Sequence, residues 1–98
     1  MTLVFHPAVQ ADFNEALDYY GAAGEHLADR FEAEFKLAVA AVKSGPRRFP
    51  FYLRSRLYRR VRLKNFPFIV IYREPAGGIR VTVLKHEKRS PRFGLNRW

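Results

Sequence analysis

Apolar positions along the chain change their spacing several times, and each change marks an element. Leu3, Val4 and Phe5 form a short apolar run within Thr2 to His6, the signature of a brief strand. Pro7 then suits the first turn of a helix, where its missing N–H leaves nothing unpaired. From Val9 the apolar residues fall at Phe13, Ala16, Leu17 and Tyr20, one face of a helix, with Asp12, Glu15 and Asp18 on the other side. Gly21-Ala22-Ala23-Gly24 is expected to end it. A second stripe, Leu27, Phe31, Phe35, Ala38, Val39 and Val42, predicts a second helix, stopped by Ser44-Gly45-Pro46. The short break between them makes an antiparallel helical hairpin.

Residues 45–56 (GPRRFPFYLRSR) follow neither period, and a loop of this length in a small domain is often functional. Three strands are expected after it. Leu57–Lys64 sets Val61 and Leu63 against Arg60, Arg62 and Lys64. Phe68–Arg73 is almost wholly apolar or aromatic, as a central strand is. Glu74 to Gly78 makes a hairpin turn, and Ile79–His86 alternates Ile79, Val81 and Val83 with Arg80, Thr82, Leu84 and His86. A basic tail runs from Glu87 to Trp98. The order β-α-α-β-β-β predicts an α+β fold in which the helical hairpin covers one face of a small antiparallel sheet. Alternation places Val61, Leu63, Val81 and Val83 under the helices. The other face then carries Arg60, Arg62, Lys64, Arg80 and His86. Strand order does not follow from spacing.

Ninety-eight residues are one domain, 1–98, and 48% apolar with 15% aromatic is enough for a core and too much for a disordered chain. The absence of Cys excludes disulfides and thiolate chemistry. No apolar run approaches the roughly 20 residues of a membrane span. The N-terminus has neither a basic region nor a small-residue cleavage site, so a cytoplasmic protein is expected. His6, His26 and His86 show no metal-ligand spacing, and no metal or cofactor is expected.

Charge changes the picture most. Residues 1–44 hold seven acids against three bases, net −4; residues 45–98 hold fifteen bases against two acids, net +13. Thirteen of the eighteen bases are Arg, whose fork suits phosphate and carboxylate. The C-terminal half therefore calls for a polyanion or an acidic protein.

Leu57-Tyr58-Arg59-Arg60-Val61-Arg62-Leu63, Phe66-Pro67-Phe68-Ile69-Val70-Ile71-Tyr72, the strand Ile79 to Leu84 and the closing His86-Glu87-Lys88-Arg89-Ser90-Pro91 resemble the RelE/ParE superfamily of bacterial toxins. Pro7, Ala8, Asp12, Tyr19 or Tyr20 and Arg30-Phe31 fit the helical part of the same pattern. The resemblance covers essentially the whole chain. It implies the toxin of a type II toxin–antitoxin pair, held by a cognate acidic antitoxin in a hetero-oligomer and reaching operator DNA only through that antitoxin. The superfamily has two mechanisms. One branch cleaves mRNA on the ribosome without a metal; the other poisons DNA gyrase.

Cleavage through the 2′-OH requires a base, an acid and positive charge at the phosphate. His86 and Arg62 are the candidates here. A tyrosine common in the tail of the ribonuclease branch is missing: Phe93 and Trp98 carry no hydroxyl. The ParE-like branch is therefore the expectation, with gyrase as target. Arg60, Arg62, Lys64, Arg80, Arg89, Arg92, Phe93 and Trp98 are the expected target-binding residues. The ribosome-dependent endonuclease, with ribosome and mRNA as partners, is the alternative. A third reading is a non-toxic basic module that binds naked nucleic acid in a salt-sensitive way.

Overall fold

The structure is a computed structural model that describes residues 2–98. Its elements are β1 (Thr2–Phe5), α1 (Ala8–Ala23), α2 (Glu25–Ser44), β2 (Arg59–Arg62), β3 (Phe68–Arg73) and β4 (Gly78–His86). His6 ends the first strand: its Nδ1 accepts the Ala8 N–H at 3.0 Å, at the start of α1. The two helices meet at Gly24, and Gly21 stays inside α1, where a Cβ would touch Ala28 at 3.8 Å. α2 ends at Gly45, as its sequence predicts.

The sheet order is β1-β4-β3-β2. β2, β3 and β4 form the expected antiparallel meander. β1 adds to the outer edge of β4 in parallel, from Thr2 beside Gly78 to Phe5 beside Val81, so the sheet as a whole is mixed. β2 is shorter than Leu57–Lys64. Its leading residues belong to a loop that bonds back on itself, with Tyr52 N–H donating to the Tyr58 carbonyl at 2.8 Å.

The helices cover one face of the sheet. Phe31, Ala38 and Val42 of α2 and Val9 and Ala16 of α1 pack with Leu63, Phe66, Phe68, Val70, Tyr72, Ile79, Val81 and Leu84. Phe13, Leu17, Phe35 and Val61 join this core while partly exposed.

Two expectations fail at one place. The β3·β4 register pairs Ile71 with Val83 but Tyr72 with Val81, leaving Thr82 as an extra residue. This bulge inverts the alternation beyond it. Val81 and Leu84 therefore face the helices, while Val83 lies on the far face with Ile69 and Ile71. His86 is inverted as well: its ring stands against Phe68, on the helix side. Nor is the far face an open field of arginines. Tyr52 and Tyr58 from the 45–58 loop, with Phe93 and Leu95 from the tail, cover Ile69, Ile71 and Val83 in a second small core.

Candidate functional site

The far face is built by the loop and the tail together. Lys85 is the side chain that fixes the tail. It is only 2% exposed, and its ammonium donates to the carbonyls of Ser90 at 2.9 Å and Arg89 at 3.3 Å. A buried ammonium requires such acceptors. Tyr52 Oη donates to the Pro91 carbonyl at 3.0 Å, and Tyr58 Oη to the Leu95 carbonyl at 2.7 Å. Gly94 takes φ +76°, and a Cβ there would stand 2.6 Å from Val83 Cγ2. Glycine therefore meets two demands at once, a left-handed backbone and a close approach to the strand.

The last anchor is an ion pair. Arg97 donates to both carboxylate oxygens of Asp12, at 2.6 and 3.1 Å, and to the Thr82 carbonyl at 3.0 Å. Asp12 also accepts the Leu84 N–H at 3.1 Å. β1 pairs with β4 only as far as Val81, so Asp12 and Arg97 supply partners to β4 beyond it. An edge that would otherwise be open is closed from α1 and the tail together.

Between loop and tail lies a cleft of about 730 Å³, bordered by Tyr52, Leu53, Arg54, Tyr58, Pro91, Arg92 and Leu95. Leu53 and Arg54 are both left-handed, with φ +54° and +59°, and both are exposed. Non-glycine residues adopt this conformation at a cost, which the contacts of the flanking Tyr52 and Tyr58 with the tail help to offset.

The residues expected from the sequence are brought together only in part. Arg60 faces the far side among Tyr52, Leu53, Ile69 and Lys85. Arg62 pairs with Glu87 and donates to the Leu63 carbonyl at 3.0 Å. Lys64 is exposed beyond the end of β2. Arg89 lies 3.9 Å from the Phe93 ring centroid and 3.6 Å from Glu15. Arg97 lies 5.0 Å from the same ring. Arg92 is exposed on the tail, Trp98 is exposed at its end, and Arg80 is half-buried on β4.

His86 and Arg62 are not brought together. His86 opens on a groove of about 430 Å³ beside α1, with Glu15, Tyr19, Tyr20 and Arg89, and its Nδ1 accepts the Lys88 N–H at 3.0 Å. Arg62 is on the opposite face with Glu87. The imidazole thus shapes the turn into the tail and stands apart from the guanidinium that would steady a phosphate. Burial raises the Tyr20 phenol above its ordinary value, with the neighbouring Tyr19 adding to the shift. Among the described residues, no three His, Asp or Glu side chains are grouped to hold a metal ion. No helix among them is long and apolar enough to cross a membrane.

Spacing alone did not single out Lys85, Tyr52, Tyr58, Asp12 or Arg97. For Tyr52 and Tyr58 a signal is the interleaving of aromatics with arginines in residues 47–60, a pattern that suits a surface packed on one side and charged on the other.

A family model described as the ParE toxin of the type II toxin–antitoxin system, parDE, matches residues 3–91. No curated protein sequence matches the chain. Among solved structures, a chain from the chromosomal ParDE TA system from P. aeruginosa superposes with a TM-score of 0.77 at 17% identity, over 88% of this chain and 95% of that chain. At that identity the likeness is one of fold.

Proposed function

The chain belongs to the ParE toxin family of type II toxin–antitoxin systems, and from that premise we propose that it arrests growth by binding DNA gyrase in the cytoplasm and is neutralised by a cognate acidic antitoxin. The observation that carries this reading is the tail. Lys85, Tyr52, Tyr58 and Asp12 hold it on the sheet, and Arg92 and Trp98 face outward from it. Such pre-ordering lowers the entropy cost of docking on a large partner. The separation of His86 from Arg62 across the sheet favours binding over acid–base cleavage, because proton transfer requires its groups within hydrogen-bond reach of one phosphate.

The antitoxin is assigned to another surface. Among the described residues β1 has a strand neighbour on one side only, β4, which leaves its outer edge open. Beside it a groove of about 480 Å³ runs past Phe5, Val9, Phe13 and Phe35 to Lys36. An amphipathic segment fits there, its apolar side on the phenylalanines. The groove itself belongs to the acidic half of the chain, with Lys36 paired to Glu32, so acidic residues of the same antitoxin would have to extend beyond it to answer the excess positive charge of residues 45–98.

The deciding experiment sets a gyrase supercoiling assay beside a translation assay with ribosomes and mRNA. The expected result is blocked supercoiling with intact message. Cleaved message with unaffected supercoiling would overturn the reading in favour of the ribonuclease.

A further inference from the structure

Arg73 ends β3, and Arg80 lies directly across from it on β4. Tyr72, Ile79 and Val81 face the helices, so alternation sends both arginines to the far face. Like charges opposite one another on adjacent strands destabilise a sheet. Elsewhere acids relieve the crowding: Glu87 pairs with Arg62, Asp12 with Arg97, and Glu74 with Arg47 and Arg59. Among the described residues, no such ion pair forms at Arg73 or Arg80. The Nε of Arg80 is also buried without an acceptor. A desolvated donor with no acceptor is costly. Nε itself is closed to an outside ligand, but Arg80 as a whole is only half-buried, so the rest of its guanidinium can take an acceptor from outside the chain.

The third member of the cluster indicates what kind of acceptor. The Arg73 guanidinium lies 4.5 Å from the ring centroid of Trp98, and Trp98 remains 67% exposed. The indole is thus steadied by a cation while most of its surface is open. A phosphate satisfies a guanidinium pair, and a nucleobase stacks on an open indole. An acidic peptide offers the charge without the flat ring. We propose that Arg73, Arg80 and Trp98 form a site for one nucleotide of single-stranded nucleic acid, its phosphate on the two guanidinium groups and its base against the indole. The site shares Trp98 with the tail on which the gyrase reading rests, but it does not require gyrase as the target, and it adds a direct nucleic-acid contact to this toxin.

Trp98 is the only tryptophan, so its fluorescence reports this site alone. The full chain is titrated in low salt with a ten-residue oligothymidylate, with an abasic strand of the same length, and with polyglutamate. Oligothymidylate is expected to quench the indole, the abasic strand to bind more weakly, and polyglutamate to leave the emission unchanged. Arg73→Gln and Arg80→Gln should each weaken binding roughly tenfold or more, the worth of a charge-assisted hydrogen bond. Arg30→Gln on α2 removes the same charge elsewhere and should leave the affinity within about twofold, because distant exposed charges are screened. Thermal melts accompany each variant; if Arg80→Gln does not fold, Arg73→Gln and Trp98→Ala decide, the latter read by anisotropy of a labelled strand. Equal quenching by polyglutamate, no quenching by oligothymidylate, or losses in Arg30→Gln as large as those in Arg73→Gln would each overturn the proposal.

Discussion

Phe31 shows how much one side chain can carry. It is fully buried, with the rings of Phe13, Tyr20, Phe66 and Phe68 around it at centroid distances of 5.0–6.2 Å. Phe31→Ala should cost about 3–5 kcal/mol, a large share of a small domain's stability, read as a lowered urea midpoint at unchanged slope. Tyr72 carries a pH signature. Burial, the largest influence, pushes its phenol up to about 12, with Arg59 lowering, Glu74 raising and Arg48 lowering it in decreasing order. An unfolded phenol ionises near pH 10. Between about pH 10 and 12 the unfolded chain has therefore released a proton that the folded chain keeps, and stability falls as pH rises. Its contribution is complete below pH 10 and lost through pH 12. Urea midpoints from pH 9 to 12 should decline, and Tyr72→Phe should flatten the decline; Tyr20, raised in the same direction, keeps part of it. His86→Gln retains an oxygen able to accept the Lys88 N–H. It should keep most of the toxicity, whereas loss of activity by about 10²–10⁴-fold would mark an acid–base role.

Among the elements, the tail is the one whose place depends on single contacts. Gly94→Ala puts a methyl group against Val83 at a left-handed position, so it should loosen residues 90–98 and raise their hydrogen exchange while the meander stays protected. Asp12→Ala leaves Arg97 and the Leu84 N–H without their acceptor. The Asp12 and Arg97 side chains are only 6% and 15% exposed, so the loss should reach about 3–5 kcal/mol, as for broken buried pairs. Arg62→Ala breaks a much more exposed pair and should cost less than about 1 kcal/mol. Thermal melts of the two variants side by side test that contrast.

For the molecule as a whole, the charge division keeps its sequence form while gaining a geometry. The acids of residues 1–44 sit on the helices, and most bases of residues 45–98 sit on the sheet, loop and tail. Association with an acidic antitoxin should therefore slow as salt rises from 50 to 500 mM, since the Debye length shrinks about threefold. Stopped-flow rates measure this, and rates indifferent to salt would contradict an electrostatically steered encounter. Removal of residues 92–98 takes away Arg92, Phe93 and Trp98, and with them the Arg97 anchor. It should reduce toxicity more than His86→Gln does, as read from growth after induction.

Local periodicity was enough to determine the order of the elements and most of the main core. The stripe through Phe31, Phe35, Ala38 and Val42 repeats with the period of a helix, while Phe68 to Tyr72 is a short continuous run of β-branched and aromatic residues between Pro67 and the Glu74–Gly78 turn, which suits an inner strand by length and composition. The net charge of the C-terminal half is likewise a sum over residues and requires no fold. Val83 and His86 mark where this reasoning stops. A single extra residue, Thr82, reverses the faces of a strand, and a bulge arises from how two strands pair rather than from either sequence alone. The parallel seat of β1, the cover of loop and tail over Ile69 and Ile71, and the meeting of Arg97 with Asp12 across 85 positions are all long-range contacts. Tertiary packing decided these, and with them which arginines are neutralised inside the chain and which face outward.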